Sequence, residues 1–218
     1  GSDARFYVMD SDRAVSHMLA TDEKYQSLTN IEIADTYRWE DYTSALEKYR
    51  AMARPHDWIV SDFVGTSWDA VQAWYTDQIF GTAIDQFFLQ ARQADQKSAL
   101  DGWKDWSIIN RVYKAWMNDF IQRTNCQTFL TAVAEPIRDT DDRSVKATFG
   151  KYGVRPQGQK HLGHQVHSVL LFQSLQPGSI VLNTVKDRGR TPQVGLSLND
   201  FVIDYLVAVA GWKIGEDE

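Results

Sequence analysis

Two short apolar runs that close on aspartate constrain this chain more than any other feature. Arg5-Phe6-Tyr7-Val8-Met9 runs into Asp10-Ser11-Asp12, and Asp57-Trp58-Ile59-Val60-Ser61-Asp62 ends in the same way. Each suits a buried strand that stops at a polar edge. A helical stretch is predicted after Asp12, to about Ala20, and Asn30-Ile31-Glu32-Ile33-Ala34 predicts a further strand. Trp39, Tyr42, Ala45, Leu46, Tyr49 and Met52 then recur at three- and four-residue steps, which is one face of an amphipathic helix. Strands that alternate with helices pair in parallel, because parallel neighbours need a crossover between them.

The rest of the chain extends that pattern. Residues 67–95 and 100–124 predict two longer helices, separated near Asp101-Gly102, and Gln127–Val133 predicts a fourth strand. Residues 138–160 are polar and glycine-bearing without clean periodicity, so a long loop is expected there. Val166–Phe172 and Ile180–Val185 predict two more strands, with Gln176-Pro177-Gly178 as the turn between them. Asn199 or Asp200 caps a final helix that stops at Gly211. The expected fold is α/β: a mainly parallel sheet flanked by helices, with an antiparallel edge at the C-terminus. A length of 218 residues fits one domain over 1–218.

Charge and cysteine content narrow the partners. A net charge of -6 gives no overall attraction to nucleic acid or anionic membrane, so a polyanion site has to be a local patch. Cys126 is the only cysteine, which excludes an internal disulfide and a cysteine-rich zinc site. No run of about 18 apolar residues and no charged-then-apolar leader is present, so a soluble, cytoplasmic protein is expected. Gly1-Ser2 reads as a cloning scar.

In open parallel sheets, ligands bind beyond the carboxyl ends of the strands. An apolar strand closing in aspartate is the form of a Walker B strand, whose carboxylate holds the water shell of a nucleotide-bound magnesium. Val8-Met9-Asp10-Ser11-Asp12-Arg13-Ala14, a strand, the helix with Ala45-Leu46, and the strand ending at Asp62 follow one another here. A long helix, the strand Gln127–Val133, a long loop, the strand Val166–Phe172 and Asn183-Thr184-Val185-Lys186-Asp187-Arg188 complete the order. This succession resembles the RecA-like ATPases, in particular the recombinase RecA and its phage relatives.

The resemblance implies ATP and Mg2+ as cofactors, single-stranded DNA as partner and assembly into a homo-oligomer. It matches Asp12 to the acidic residue that positions the attacking water and Asp62 to the Walker B carboxylate. Asp10 and Asp62 are thereby assigned to the nucleotide, with Asp62 at the metal. Lys186 and Arg188 match two basic residues that reach the γ-phosphate of the neighbouring subunit. The family usually has glutamate at the position of Asp12. A polar sensor at the end of the strand Gln127–Val133 is either Thr131 or Glu135. Phe63 follows Asp62 where packaging motors usually carry glutamate. A phosphate-binding loop, G-x-x-x-x-G-K-[ST], does not occur. In the family it precedes the strand ending at Asp10, so the chain is expected to begin just downstream of it. A RecA-like module that binds a partner or DNA without turnover, or a DNA-packaging or helicase motor with the same core, is the competing expectation.

The resemblance places a DNA-contacting loop after the strand Gln127–Val133. In 138–160 the cations Arg143, Lys146, Lys151 and Arg155 are interleaved with Phe149 and Tyr152, a pattern that suits a strand of phosphates with stacked bases. An ordinary solvated loop is the other reading. His161, His164 and His167 lack a carboxylate at useful spacing and read as a polar strand entrance rather than a zinc site. Trp103, Trp106 and Trp116, with Ile109, Val112, Tyr113 and Phe120, recur at helical spacing as core or as a subunit interface.

Overall fold

In the computed structural model, residues 3–96, 99–176, 179–188 and 197–198 are described. The expected turn at Pro177-Gly178 and the final helix lie outside these residues. The chain divides into two compact units, one formed by Ser2–Val133 with Gln157–Gln159, the other by Ala134–Pro156 and the residues from Lys160 on.

The first unit holds the parallel sheet. β1 (Phe6–Asp10), β2 (Ile31–Asp35), β3 (Trp58–Asp62) and β4 (Gln127–Leu130) lie in the order β2-β1-β3-β4, every pair parallel. The register sets Asp10 opposite both Asp35 and Asp62, so three neighbouring strands end in a carboxylate at one level. The connections are α1 (Ala14–Thr21), α2 (Trp39–Met52), α3 (Val64–Phe80), α4 (Ile84–Gln93) and α5 (Asp105–Ile121). The α2 stripe read from the sequence is the buried one except at its end: Trp39, Tyr42, Ala45, Leu46 and Tyr49 are in the core, whereas Met52 is exposed. Tyr49 packs on Tyr7 of β1 with ring centroids 5.1 Å apart, and Trp116 of α5 packs on Trp39 and Tyr42.

Several boundaries differ from expectation, each for a local reason. The stretch 67–95 is two helices, because Gly81 caps α3 in the left-handed region (φ 63°) while its N–H reaches Asp77 O. α5 starts only at Asp105, since Asp101 Oδ1 accepts from the N–H groups of Trp103 and Lys104 and closes a turn there. Trp116 is core as expected, but Trp103 precedes the helix and is 91% exposed.

The second unit corrects the expected loop over 138–160. β5 (Ala134–Pro136) pairs antiparallel with β6 (Val154–Pro156), enclosing α6 (Arg143–Phe149) and a 3-10 turn at Gly150–Tyr152. Asp142 caps α6 by accepting from Val145 N at 3.0 Å. A seven-residue helix is too short to show periodicity, which is why its composition reads as loop. Val145, Phe149 and Val185 form a small buried core here. α7 (Leu162–Gln165) follows, then β7 (Ser168–Gln176), β8 (Ser179–Asp187) and β9 (Ser197–Leu198), an antiparallel sheet of their own. The antiparallel strands are therefore not an edge of the parallel sheet. His164 lies in α7, so the histidine run crosses a helical turn before the strand begins.

Candidate metal centre at the carboxyl edge of the parallel sheet

β1 delivers Asp10 to a fully buried position. Its Oδ2 accepts from Ser16 N and Ser16 Oγ, both at 2.9 Å, while Oδ1 is buried and has no partner among the described residues. The turn after β1 is tied to β3: Ser11 N donates to Asp62 O at 2.7 Å, and Phe63 N donates to Ser11 Oγ at 2.8 Å. Asp12 is exposed and accepts from Ala14 N at 3.0 Å through Oδ1. Arg13 occupies the left-handed region (φ 63°), uncommon for a residue with a Cβ, and its guanidinium pairs with Asp35 at 3.1 Å. Asp35 is thereby neutralised, whereas its register partners are not.

Asp10, Asp12 and Asp62 each offer a carboxylate oxygen, and these oxygens lie within 4.8 Å of one another. Burial of Asp62, reinforced by Asp12 and Asp10, raises its pKa above the usual carboxylate range, and a hydrogen bond from Thr131 Oγ1 opposes that shift. Three crowded carboxylates, one with a buried oxygen left without a donor, are a donor set for a hard divalent cation such as Mg2+. The residues present therefore fit the metal that the resemblance implies.

The structure brings together Asp10, Asp12 and Asp62 as the sequence suggests. It also separates the two sensor candidates: Thr131 donates to Asp62, whereas Glu135 lies in the other unit and pairs with Arg155 at 2.7 Å. Ser11 and Ser16 are site residues that sequence reasoning missed. Their signal is thin: a serine between two aspartates, and one in the first turn of the next helix.

The candidate DNA residues divide. Arg143, Lys146 and Lys151 are exposed, and Lys146 Nζ donates to Asp139 O at 2.7 Å. Tyr152 is half-buried with Lys151 over its ring. Phe149 and Arg155 do not stay in a nucleic-acid set. Phe149 is 2% exposed in the core of its unit, and Arg155, 7% exposed, is held between Glu135 and Asp141. A ring so enclosed offers no face to a base, and a guanidinium with two carboxylates has no charge to spare for phosphate. Lys186 and Arg188, also in the second unit, donate to backbone carbonyls of α7 and its flank.

Fold and cluster together define an α/β protein with a candidate divalent-cation centre at the carboxyl edge of a parallel sheet. No protein-family model matches the chain, and no curated protein matches it either. Among the described residues no helix is long and apolar enough to cross a membrane.

Proposed function

We propose that this chain is the core of a RecA-like ATPase, of the kind that serves phage recombination or replication on single-stranded DNA. The observation that carries the reading is the convergence of Asp10, Asp12 and Asp62 at the ends of adjacent parallel strands. Asp10 and Asp62 would hold magnesium, which supplies neutralisation of charge on the phosphoryl oxygens when bound. Asp12 has the exposure needed to orient an attacking water, with one oxygen fixed by Ala14 N. Thr131, on Asp62, takes the sensor position. Lys186 and Arg188 are assigned to the triphosphate of a neighbouring subunit, where cations stabilise developing charge.

The 218 residues contain no phosphate-binding loop, so the protein by itself is expected to show no ATP turnover above background. Joined to a segment bearing such a loop, it is expected to hydrolyse ATP. Asp12→Asn should then lower kcat about a hundredfold or more, with nucleotide affinity unchanged. Turnover unaffected by Asp12→Asn would remove Asp12 from the reaction. The absent loop also favours a second reading, a module that binds without turnover; no hydrolysis by the loop-bearing protein would select it.

DNA binding is assigned to Arg143, Lys146 and Lys151, the three candidate DNA-contacting cations that remain exposed. Replacing all three with alanine is expected to weaken binding of a single-stranded oligonucleotide. The log–log salt slope should become shallower by about 0.7 per lost phosphate contact. An unchanged slope in a salt titration places the DNA site elsewhere.

A further inference from the structure

Lys186 of β8 and Arg188, just past its end, are engaged by a single short segment. Lys186 Nζ donates to Gly163 O at 2.7 Å and Val166 O at 2.6 Å, and Arg188 donates from its guanidinium to His164 O at 2.7 Å. The backbone N–H of Arg188 reaches His167 O at 2.9 Å. Carbonyls satisfy donors but carry no net charge. Among the described residues no carboxylate forms an ion pair with either cation; Asp187, between them in sequence, accepts from Ser168 Oγ at 2.9 Å, and Asp142 pairs with Lys160. Within the described residues both positive charges are therefore hydrogen-bonded yet not paired with a carboxylate. Burial, and secondarily Arg188, bring the Lys186 pKa down to about 8, which shows the same imbalance from the side of the proton.

The segment that holds them is short. α7 is a single turn of four residues, and a helix that short does not sustain itself in water. Two packing features seat it: Leu162 is 4% exposed, and Gly163 lies against the ring of Phe149. A Cβ at residue 163 would collide with the ring of Phe149, so this approach depends on glycine. A phosphate group offers the same donors several acceptor oxygens and also cancels their charge, which the carbonyls do not.

From this we infer that residues 162–166 form a latch that retains Lys186 and Arg188 within their own subunit until a polyphosphate replaces the latch carbonyls. The inference rests on the ATPase reading, in which these cations act on a neighbouring subunit's nucleotide. It adds an autoinhibitory contact: the unassembled chain keeps its trans-acting cations occupied.

Hydrogen exchange read by mass spectrometry tests the latch without nucleotide. In Gly163→Ala the amides of 162–166 are expected to exchange at least about tenfold faster than in the wild type, because the segment opens more often. Lys186→Met is a second route should that variant fail to fold: hydrogen exchange over 162–166 should quicken while exchange in the parallel-sheet unit stays as it was. Inorganic tripolyphosphate should quicken exchange over 162–166 in the wild type and have no effect in the Lys186→Met/Arg188→Met protein. Unchanged exchange over 162–166 in Gly163→Ala, or in Lys186→Met, overturns the latch. Protection that tripolyphosphate leaves untouched overturns it as a regulatory device, and the ATPase reading is then judged separately, by turnover of the loop-bearing protein.

Discussion

Asp62→Asn is expected to weaken Mn2+ or Mg2+ binding to the 218-residue protein by at least about tenfold, the lower end of what loss of even an indirect partner costs a metal site. The substitution keeps an oxygen for the Thr131 hydroxyl, so the local fold should persist, but it removes one of three clustered charges. Burial and the neighbouring carboxylates make the ionised form of Asp62 costly when no cation is bound. The metal-free variant should accordingly be no less stable than the wild type, while the gain in melting temperature on adding divalent cation should shrink, since ligand-linked stability follows site occupancy. Asp35→Asn is the internal control. Asp35 occupies the same register level on β2 but is paired with Arg13, so its loss should leave cation affinity nearly unchanged. Calorimetry or Mn2+ electron paramagnetic resonance distinguishes the two. Equal losses from both variants would mean diffuse attraction to acidic surface rather than a site.

Arg155→Ala is expected to cost about 3 kcal/mol, the lower part of the range for breaking a buried ion pair by removing one partner. Arg155 bonds Glu135 at 2.7 Å and Asp141 at 3.2 Å, with its own side chain 7% exposed, and it tethers β6 to β5 and to the turn before α6. Its removal leaves two carboxylates short of a partner and opens a space beside them. Asp141 retains the N–H of Arg138, which first among its contacts holds its carboxyl below the usual range. A carboxyl depressed in the folded state contributes stability that is present above about pH 4, its unfolded value, and is lost as pH falls through the folded one. The wild type should therefore lose stability on acidification below about pH 4, and the variant, without the share due to Arg155, should lose less. Arg143→Ala, on an exposed side chain one residue past the α6 cap, should change stability by under about 0.5 kcal/mol. Urea unfolding with equal midpoints for Arg155→Ala and wild type would show that the buried network contributes nothing.

The sequence by itself determined the parallel α/β half of this protein. β1, β2, β3 and α2 announce themselves through short apolar-rich runs and a helical stripe whose residues, Met52 excepted, are the buried ones, because burial on a regular element imposes its period on the chain. The carboxylates Asp10, Asp12 and Asp62 were legible for the same reason: strand ends are visible where apolar residues give way to charge. Tertiary structure alone decided which of two polar residues after β4 faces that cluster, since Thr131 and Glu135 are four positions apart and part into different units. It alone turned the apparent loop 138–160 into a small folded core, because beyond the local Asp142 cap α6 is stabilised by Phe149 against Gly163 and by the ion pairs of Arg155, contacts between residues 14 or more positions apart. Cations in that stretch look alike as letters. Burial separates them: Arg155 is consumed by the fold while Arg143, Lys146 and Lys151 remain at the surface, and Lys186 and Arg188 are held by carbonyls that carry no sequence signature at all.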